Sequence, residues 1–197
     1  MKKIAVLISG GGTNLQSIID AVEAGKIKGE IRLVISNKED AYGLERARKH
    51  NICAVFDNDE ASIIDRLKSE EIDLVVLAGF LKILSSNFTR AFENKIINIH
   101  PSLIPAFCGK GYYGLKVHQS AVDYGVKVSG ATVHFVDENA DTGPIISQET
   151  VKVLPDDTAE ILQKRVLEVE HRILPMVVSK FCDNKIIVEG RKVFIEE

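Results

Sequence analysis

Apolar and polar positions alternate along this chain in two rhythms, and the change of rhythm lays out its elements. Short β-rich apolar runs occur at Ile4 to Ile8, Ile31 to Ile35, Ala54 to Phe56, Leu74 to Ala78 and Ile96 to His100. Between them lie stretches with helical spacing: Leu15, Ile18, Ile19 and Val22, then Gly43 to Lys49, Ala61 to Ser69 and Asn87 to Phe92. Strand and helix in repeated alternation predict a parallel sheet, and the unbroken run Leu74 to Ala78 suits a strand buried on both faces. The second half changes character. Lys127 to Val136 and Ile145 to Val153 are long β-like runs joined by Asp137 to Pro144, too short for a crossover helix, so they are expected as antiparallel neighbours. A long helix is expected from Asp157, with Asp157 and Glu160 at capping-box spacing and Ile161, Leu162, Val166, Val169, Ile173 and Leu174 on one stripe. Lys185 to Ile195 predicts a hairpin.

The expected fold class is therefore α/β, with a mostly parallel central sheet, an antiparallel C-terminal portion and helices on both faces. Nothing resembling a repeat or a linker divides the 197 residues, so one domain is expected, with residues 1–100 as a phosphate-binding βαβ half and 101–197 as the other half.

Composition narrows the function. With 28 acidic against 25 basic residues the net charge is −3, which offers no basic field to a nucleic acid, and none is expected as a partner. The run Ile4 to Ile8 stops at Ser9-Gly10, far short of a leader core or a bilayer span, so a cytoplasmic protein without membrane contact is expected. Cys53, Cys108 and Cys182 are widely spaced with no C-x-x-C pair, and reduced thiols follow.

Three features carry chemistry. The loop Ser9-Gly10-Gly11-Gly12-Thr13-Asn14 leaves a strand and opens a helix, so its N–H groups and the helix dipole converge on a place where an anion fits. Thr13 and Gln16 have capping-box spacing. No Gly-Lys-Ser/Thr follows, and Leu15 occupies the third glycine position of a dinucleotide loop, which leaves a single phosphate or a bare tight turn. The second feature is Asn98 and His100, which period-2 geometry sends to one side at the carboxyl end of a buried strand, facing either a pocket or structural partners. Asp141 is the third: an acid beside His100 would favour the imidazolium, and with the Asn98 amide the group could stabilise an oxyanion and deliver a proton. Thr132 and His134 share a strand face and are candidate pocket walls, with His134 equally readable as a core histidine; His50 and His118 read as helix-surface residues, and Ala106 to Gly114 as a mobile flap. A metal at Asn98, His100 and Asp141 is disfavoured because asparagine is a weak ligand.

These residues carry a resemblance. The Ser9 to Gln16 loop, the run Val76-Leu77-Ala78-Gly79-Phe80-Leu81-Lys82-Ile83-Leu84, the block Asn98 to Pro105, the strand Thr132 to Val136 and the turn Asp141 to Pro144 together resemble the formyltransferases that use formyltetrahydrofolate. The glycine loop resembles that of the glycinamide ribonucleotide branch. The resemblance runs nearly the whole length and implies a Rossmann-like formyltransferase fold. It also implies transfer of the formyl group of 10-formyltetrahydrofolate, as cosubstrate, to the amine of 5'-phosphoribosylglycinamide, a step of purine synthesis. Small-molecule substrates, no metal, and a monomer or homodimer are implied with it. By position, Asn98, His100 and Asp141 would be catalytic, with Asp141 raising the His100 pKa. Gly11, Gly12, Thr13, Asn14 and Glu170 would hold the phosphate and ribose. Leu81, Lys82, Ile83 and Leu84, with Asn98 and the backbone of Asp137, Glu138, Asn139, Ala140 and Asp141, would frame the folate, making residues 101–197 the folate and catalytic half. The segment between Phe56 and Ile72 is shorter than in many relatives, and the arginine that some use near the folate tail has no assigned counterpart. The nearest rivals, formyltetrahydrofolate deformylase and methionyl-tRNA formyltransferase, carry additional domains.

Overall fold

A computed structural model describes residues 1–196. In chain order its elements are β1 (Lys2–Ile8), α1 (Thr13–Glu23), β2 (Gly29–Ser36), α2 (Tyr42–Lys49), β3 (Cys53–Phe56), α3 (Glu60–Ser69), β4 (Leu74–Leu77), α4 (Ser86–Ala91), β5 (Ile96–His100), α5 (Leu115–Tyr124), β6 (Val128–Phe135), β7 (Ile145–Lys152), α6 (Ala159–Cys182), β8 (Ile186–Glu189) and β9 (Lys192–Ile195). Seven strands form one sheet in the order β3-β2-β1-β4-β5-β6-β7. The pairs from β3 through β5 are parallel, whereas β6 runs antiparallel to β5 and β7 antiparallel to β6.

Apolar side chains on the two sheet faces explain the layers. On one face Ile4, Val6, Ile8, Val76 and Ile97 pack with Leu15, Ile18 and Ile19 of α1 and with Leu162, Val166, Val169 and Ile173 of α6. On the other, Ala5, Leu7, Leu33, Ile35 and Val75 pack with Ile63 and Leu67 of α3 and Phe88 of α4. Central strands flanked on both sides have no polar face to spare, which is why β4 is apolar at every position, all four buried.

The chain order reverses between β1 and β4, since β2 and β3 lie to one side and β5 to the other. Open α/β sheets form a crevice at the carboxyl ends of the strands beside such a reversal. Here it is stitched shut below the rim: the Ser9 N–H donates to the Gly79 carbonyl at 3.1 Å, and the Leu81 N–H donates to Ser9 Oγ at 2.9 Å.

Three local expectations are corrected. Thr13 is the first residue inside α1 and Gly12 its N-cap, with no side-chain cap bond, so the Thr13–Gln16 box does not form. In α6 the cap is Thr158, whose side chain accepts from the Ile161 N–H, while Asp157 turns back to accept from the Leu154 N–H and from Arg165. His118 does sit on a helix, α5, but it is buried rather than surface-exposed.

Candidate active site

Asn98 and His100 are on the last strand of the parallel set, and the antiparallel register sets His134 opposite Asn98 and Thr132 opposite His100. Directly opposed residues have closely spaced side chains, so the register itself builds the site. His134 Nδ1 donates to the Phe135 carbonyl at 2.7 Å, which leaves Nε2 to accept from Asn98 Nδ2 at 3.1 Å in the neutral ring. That bond fixes the rotation of the Asn98 amide and keeps one of its two hydrogens free. Thr132 does not line the cavity. Its hydroxyl donates to the Ser102 carbonyl at 2.7 Å and accepts from the Ile104 N–H at 3.1 Å, fastening the segment that follows His100.

Asp141 closes the group. It sits at φ 58 in a short loop where Asp137 Oδ1 accepts from the Asn139 N–H and the Thr142 hydroxyl. At Gly143 a Cβ would lie 1.8 Å from the Phe135 carbonyl oxygen, so only glycine lets the loop approach this closely. Asp141 Oδ2 lies 3.6 Å from His100 Nδ1, Oδ1 lies 3.5 Å from His134 Nε2, and Oδ2 accepts from the Gly109 N–H at 2.8 Å. Burial alone would push this carboxyl up, but the nearness of His134 and of His100 and the Gly109 amide bond prevail and hold it below the ordinary carboxylate range.

His100 donates Nε2–H to the Phe107 carbonyl at 3.0 Å, and a carbonyl can only accept. The tautomer is thereby set, and Nδ1, facing Asp141, is the nitrogen that can gain or lose a proton. Asp141 does raise the pKa of this ring, as expected, but burial outweighs it. Burial of a ring only 6% exposed pushes its pKa below the ordinary imidazole value, and Asp141 and the Phe107 carbonyl recover only part of that. Ala106 to Gly114, expected as a flap, is tied to the site through both Phe107 and Gly109. Cys108 within it is not an activated thiol, since burial and then Asp141 raise its pKa.

A cavity of about 550 Å³ opens in front of these groups. Thr13, Asn14, Leu81, Lys82, Ile83, Leu84, Asn98, His100, the residues 137–141 and Glu170 all line it, drawing from both halves of the chain. Gly11 and Gly12 lie outside the lining; Gly12, at φ 70, is pressed against α2, where a Cβ would come 2.7 Å from Gly43 Cα. Elsewhere in the lining Asn14 Nδ2 donates to Glu170 Oε2 at 2.6 Å, and burial raises the Glu170 carboxyl to about 7. Lys82 Nζ donates to the Asn58 carbonyl at 2.7 Å and Arg90 Nε to Glu138 Oε1 at 2.9 Å, so these two cations are already held. Among the described residues no group of three or more His, Cys, Asp or Glu is placed to hold a metal ion, and no helix is long and apolar enough to cross a membrane. Sequence reasoning missed His118 and left His134 undecided; both line the cavity.

Residues 2–178 match the family model described as formyl transferase. The chain is 45% identical to a phosphoribosylglycinamide formyltransferase of Haemophilus influenzae, covering all of this chain and 94% of that one. It is 44% identical to a chloroplastic phosphoribosylglycinamide formyltransferase of Vigna unguiculata over 94% of this chain, and spans 62% of the length of that relative. Among solved structures, glycinamide ribonucleotide transformylase 1 from Symbiobacterium toebii superposes with a TM-score of 0.94 at 44% identity, covering all of this chain and 95% of that chain.

Proposed function

The chain belongs to the formyl transferase family, and on that premise we propose that it moves the formyl group of 10-formyltetrahydrofolate onto the amine of 5'-phosphoribosylglycinamide. The observation that carries the reading is that Asn98, His100 and Asp141 line the same cavity as Thr13 and Asn14, at the start of α1 where no side chain caps the helix, and Glu170. A volume of about 550 Å³ suits the reacting ends of two small molecules. The first-turn N–H groups of α1 suit a phosphate, and Asn14 and Glu170 suit ribose hydroxyls. Leu81, Ile83, Leu84, Phe80 and Val136 offer the apolar slot that a flat pterin ring needs, with the backbone of 137–141 along its edge.

The chemistry follows from the protonation state. Attack of the amine on the formyl carbon makes a tetrahedral centre with a negative oxygen and a positively charged nitrogen. The free Asn98 amide hydrogen points a donor at the oxygen. His100, neutral at rest, takes the surplus proton from the amine nitrogen at Nδ1, and Asp141 stabilises the imidazolium as it forms. The same nitrogen then gives that proton to the departing folate nitrogen, so the proton count closes and His100 returns neutral. A resting imidazole with a low pKa is thus the useful state, and Asp141 acts on the transient cation. No metal enters this sequence, and the partners are the two small substrates.

The test is turnover of 10-formyltetrahydrofolate, followed by the folate product's absorbance, with and without the ribonucleotide. Turnover that requires the amine supports the transferase. Folate released at the same rate without it makes the chain a hydrolase and overturns the reading.

A further inference from the structure

Three imidazoles line the catalytic cavity, and two of them have their nitrogens committed. His100 faces Phe107 and Asp141, and His134 faces Phe135 and Asn98. His118 differs. It is 1% exposed, its Nδ1 is sealed without a hydrogen-bond partner, and Nε2 has none among the described residues. The sealed Nδ1 is a cost to the fold that a ligand cannot relieve, whereas Nε2, unbonded and not sealed, is the nitrogen of this ring that a ligand in the reaction cavity can meet.

We propose that His118 touches substrate, accepting a hydrogen bond from the attacking amine and thereby holding its lone pair toward the formyl carbon. The inference rests on the transferase reading above and extends it to a residue that the reading does not use. A primary amine has two hydrogens to place while its lone pair attacks. His100 receives the one shed after attack, and the other needs an acceptor that stays neutral. Asp141 is taken up by Gly109 and the two other imidazoles. His118 meets the requirement, because burial and then the proximity of His100 lower its pKa to about 4, so at neutral pH it offers a lone pair and no competing positive charge. An ammonium form of the substrate would be bound as well but could not attack, so the contact serves to align the free amine.

The experiment compares His118→Leu and His118→Gln with the parent. Three quantities are read: steady-state formyl transfer, binding of ribose 5-phosphate, which lacks the amine, and thermal melting. With Leu, kcat/KM for the ribonucleotide is expected to fall about 100-fold with the loss mainly in kcat, while ribose 5-phosphate affinity stays within 2-fold. Melting should not fall and should rise by about 2–4 °C, since a buried unpaired nitrogen has been removed. Gln, whose Oε1 can stand in for Nε2, should recover at least a tenth of parental turnover. Loss of melting temperature together with loss of turnover in both variants would mean that the ring is structural, and near-parental turnover of the Leu variant would mean that it meets no substrate; either overturns the proposal. A parent without amine-dependent transfer overturns the reading on which it stands, and is distinguished because it is seen before any variant is made.

Discussion

Replacing Asp141 by Asn isolates one electrostatic contact. The amide keeps an oxygen able to accept from the Gly109 N–H, 2.8 Å away, so the loop keeps its anchor. What disappears is the negative charge 3.6 Å from His100 Nδ1. Two unit charges at that distance attract by about 1 kcal/mol at the permittivity of water and by about 4–5 kcal/mol at an effective value of about 20. The side chains are 6% and 14% exposed, which places the pair toward the upper part of that range. The imidazolium formed in the transfer should therefore be less stable by roughly one to three pH units, and kcat should fall by about 10-fold to 10³-fold. Because the resting ring must be neutral to accept a proton, activity in the parent should rise with pH through the lowered His100 pKa and then level. In Asp141→Asn that rise should move to lower pH while the plateau drops. The assay is kcat against pH with saturating substrates, with thermal melting as the control for folding. A variant with parental kcat and an unmoved acid limb would refute the argument that Asp141 acts through the charge of His100.

Other consequences follow from the same geometry. Glu170 has its carboxyl raised to about 7, so the fold favours its protonated form; this stability is full below the unfolded value near 4.5 and is lost as pH rises toward about 7. Glu170→Gln should remove that loss, gaining up to roughly 3 kcal/mol at pH 8 in urea melts relative to the parent, while weakening ribonucleotide binding. Gly12→Ala should destabilise by about 2–4 kcal/mol, combining a left-handed φ with an overlap at 2.7 Å against Gly43, whereas Gly11→Ala, whose Cβ meets nothing within 4 Å, should melt like the parent. Calorimetry with ribose 5-phosphate would then read the phosphate cradle in Gly11→Ala without interference from folding. His134→Phe, which frees the Asn98 amide to rotate, should lower kcat by about 10-fold or more at nearly constant KM in steady-state assays.

What was legible in the sequence followed burial. Strands covered on both faces announce themselves as apolar runs, so β1, β2, β4 and β5 could be read from pattern alone, whereas the order in which they pair could not. Two polar residues at alternate positions in such a strand stood out for the same reason, and Asn98 and His100 do face a cavity. Where the pattern failed, a polar group had found its partner out of sequence range. Helix α5 was given no bounds and its His118 was read as facing solvent, because its inward stripe consists of Val117, His118 and Ala121, too short and too polar to stand out, and its start follows a glycine-rich turn. Thr132 was taken for a pocket wall because alternation gives the face of a strand but not what lies above it; the backbone of Ser102 and Ile104 does. The caps were misplaced by one residue because Ser, Thr and Asp all suit that position, and only the fold decides that Asp157 is needed by Arg165 instead. The direction of the His100 shift could not be read from residue types either, since it depends on how completely the ring is buried.

The most direct test supplies 10-formyltetrahydrofolate carrying a ¹³C-labelled formyl group together with the glycinamide ribonucleotide, and locates the label by mass spectrometry and carbon NMR. The account predicts one labelled formamide carbon per folate released, on the former amine, in the parent protein, and no such product with His100→Ala. Label recovered as free formate, or formamide formed equally well without the His100 ring, would contradict it.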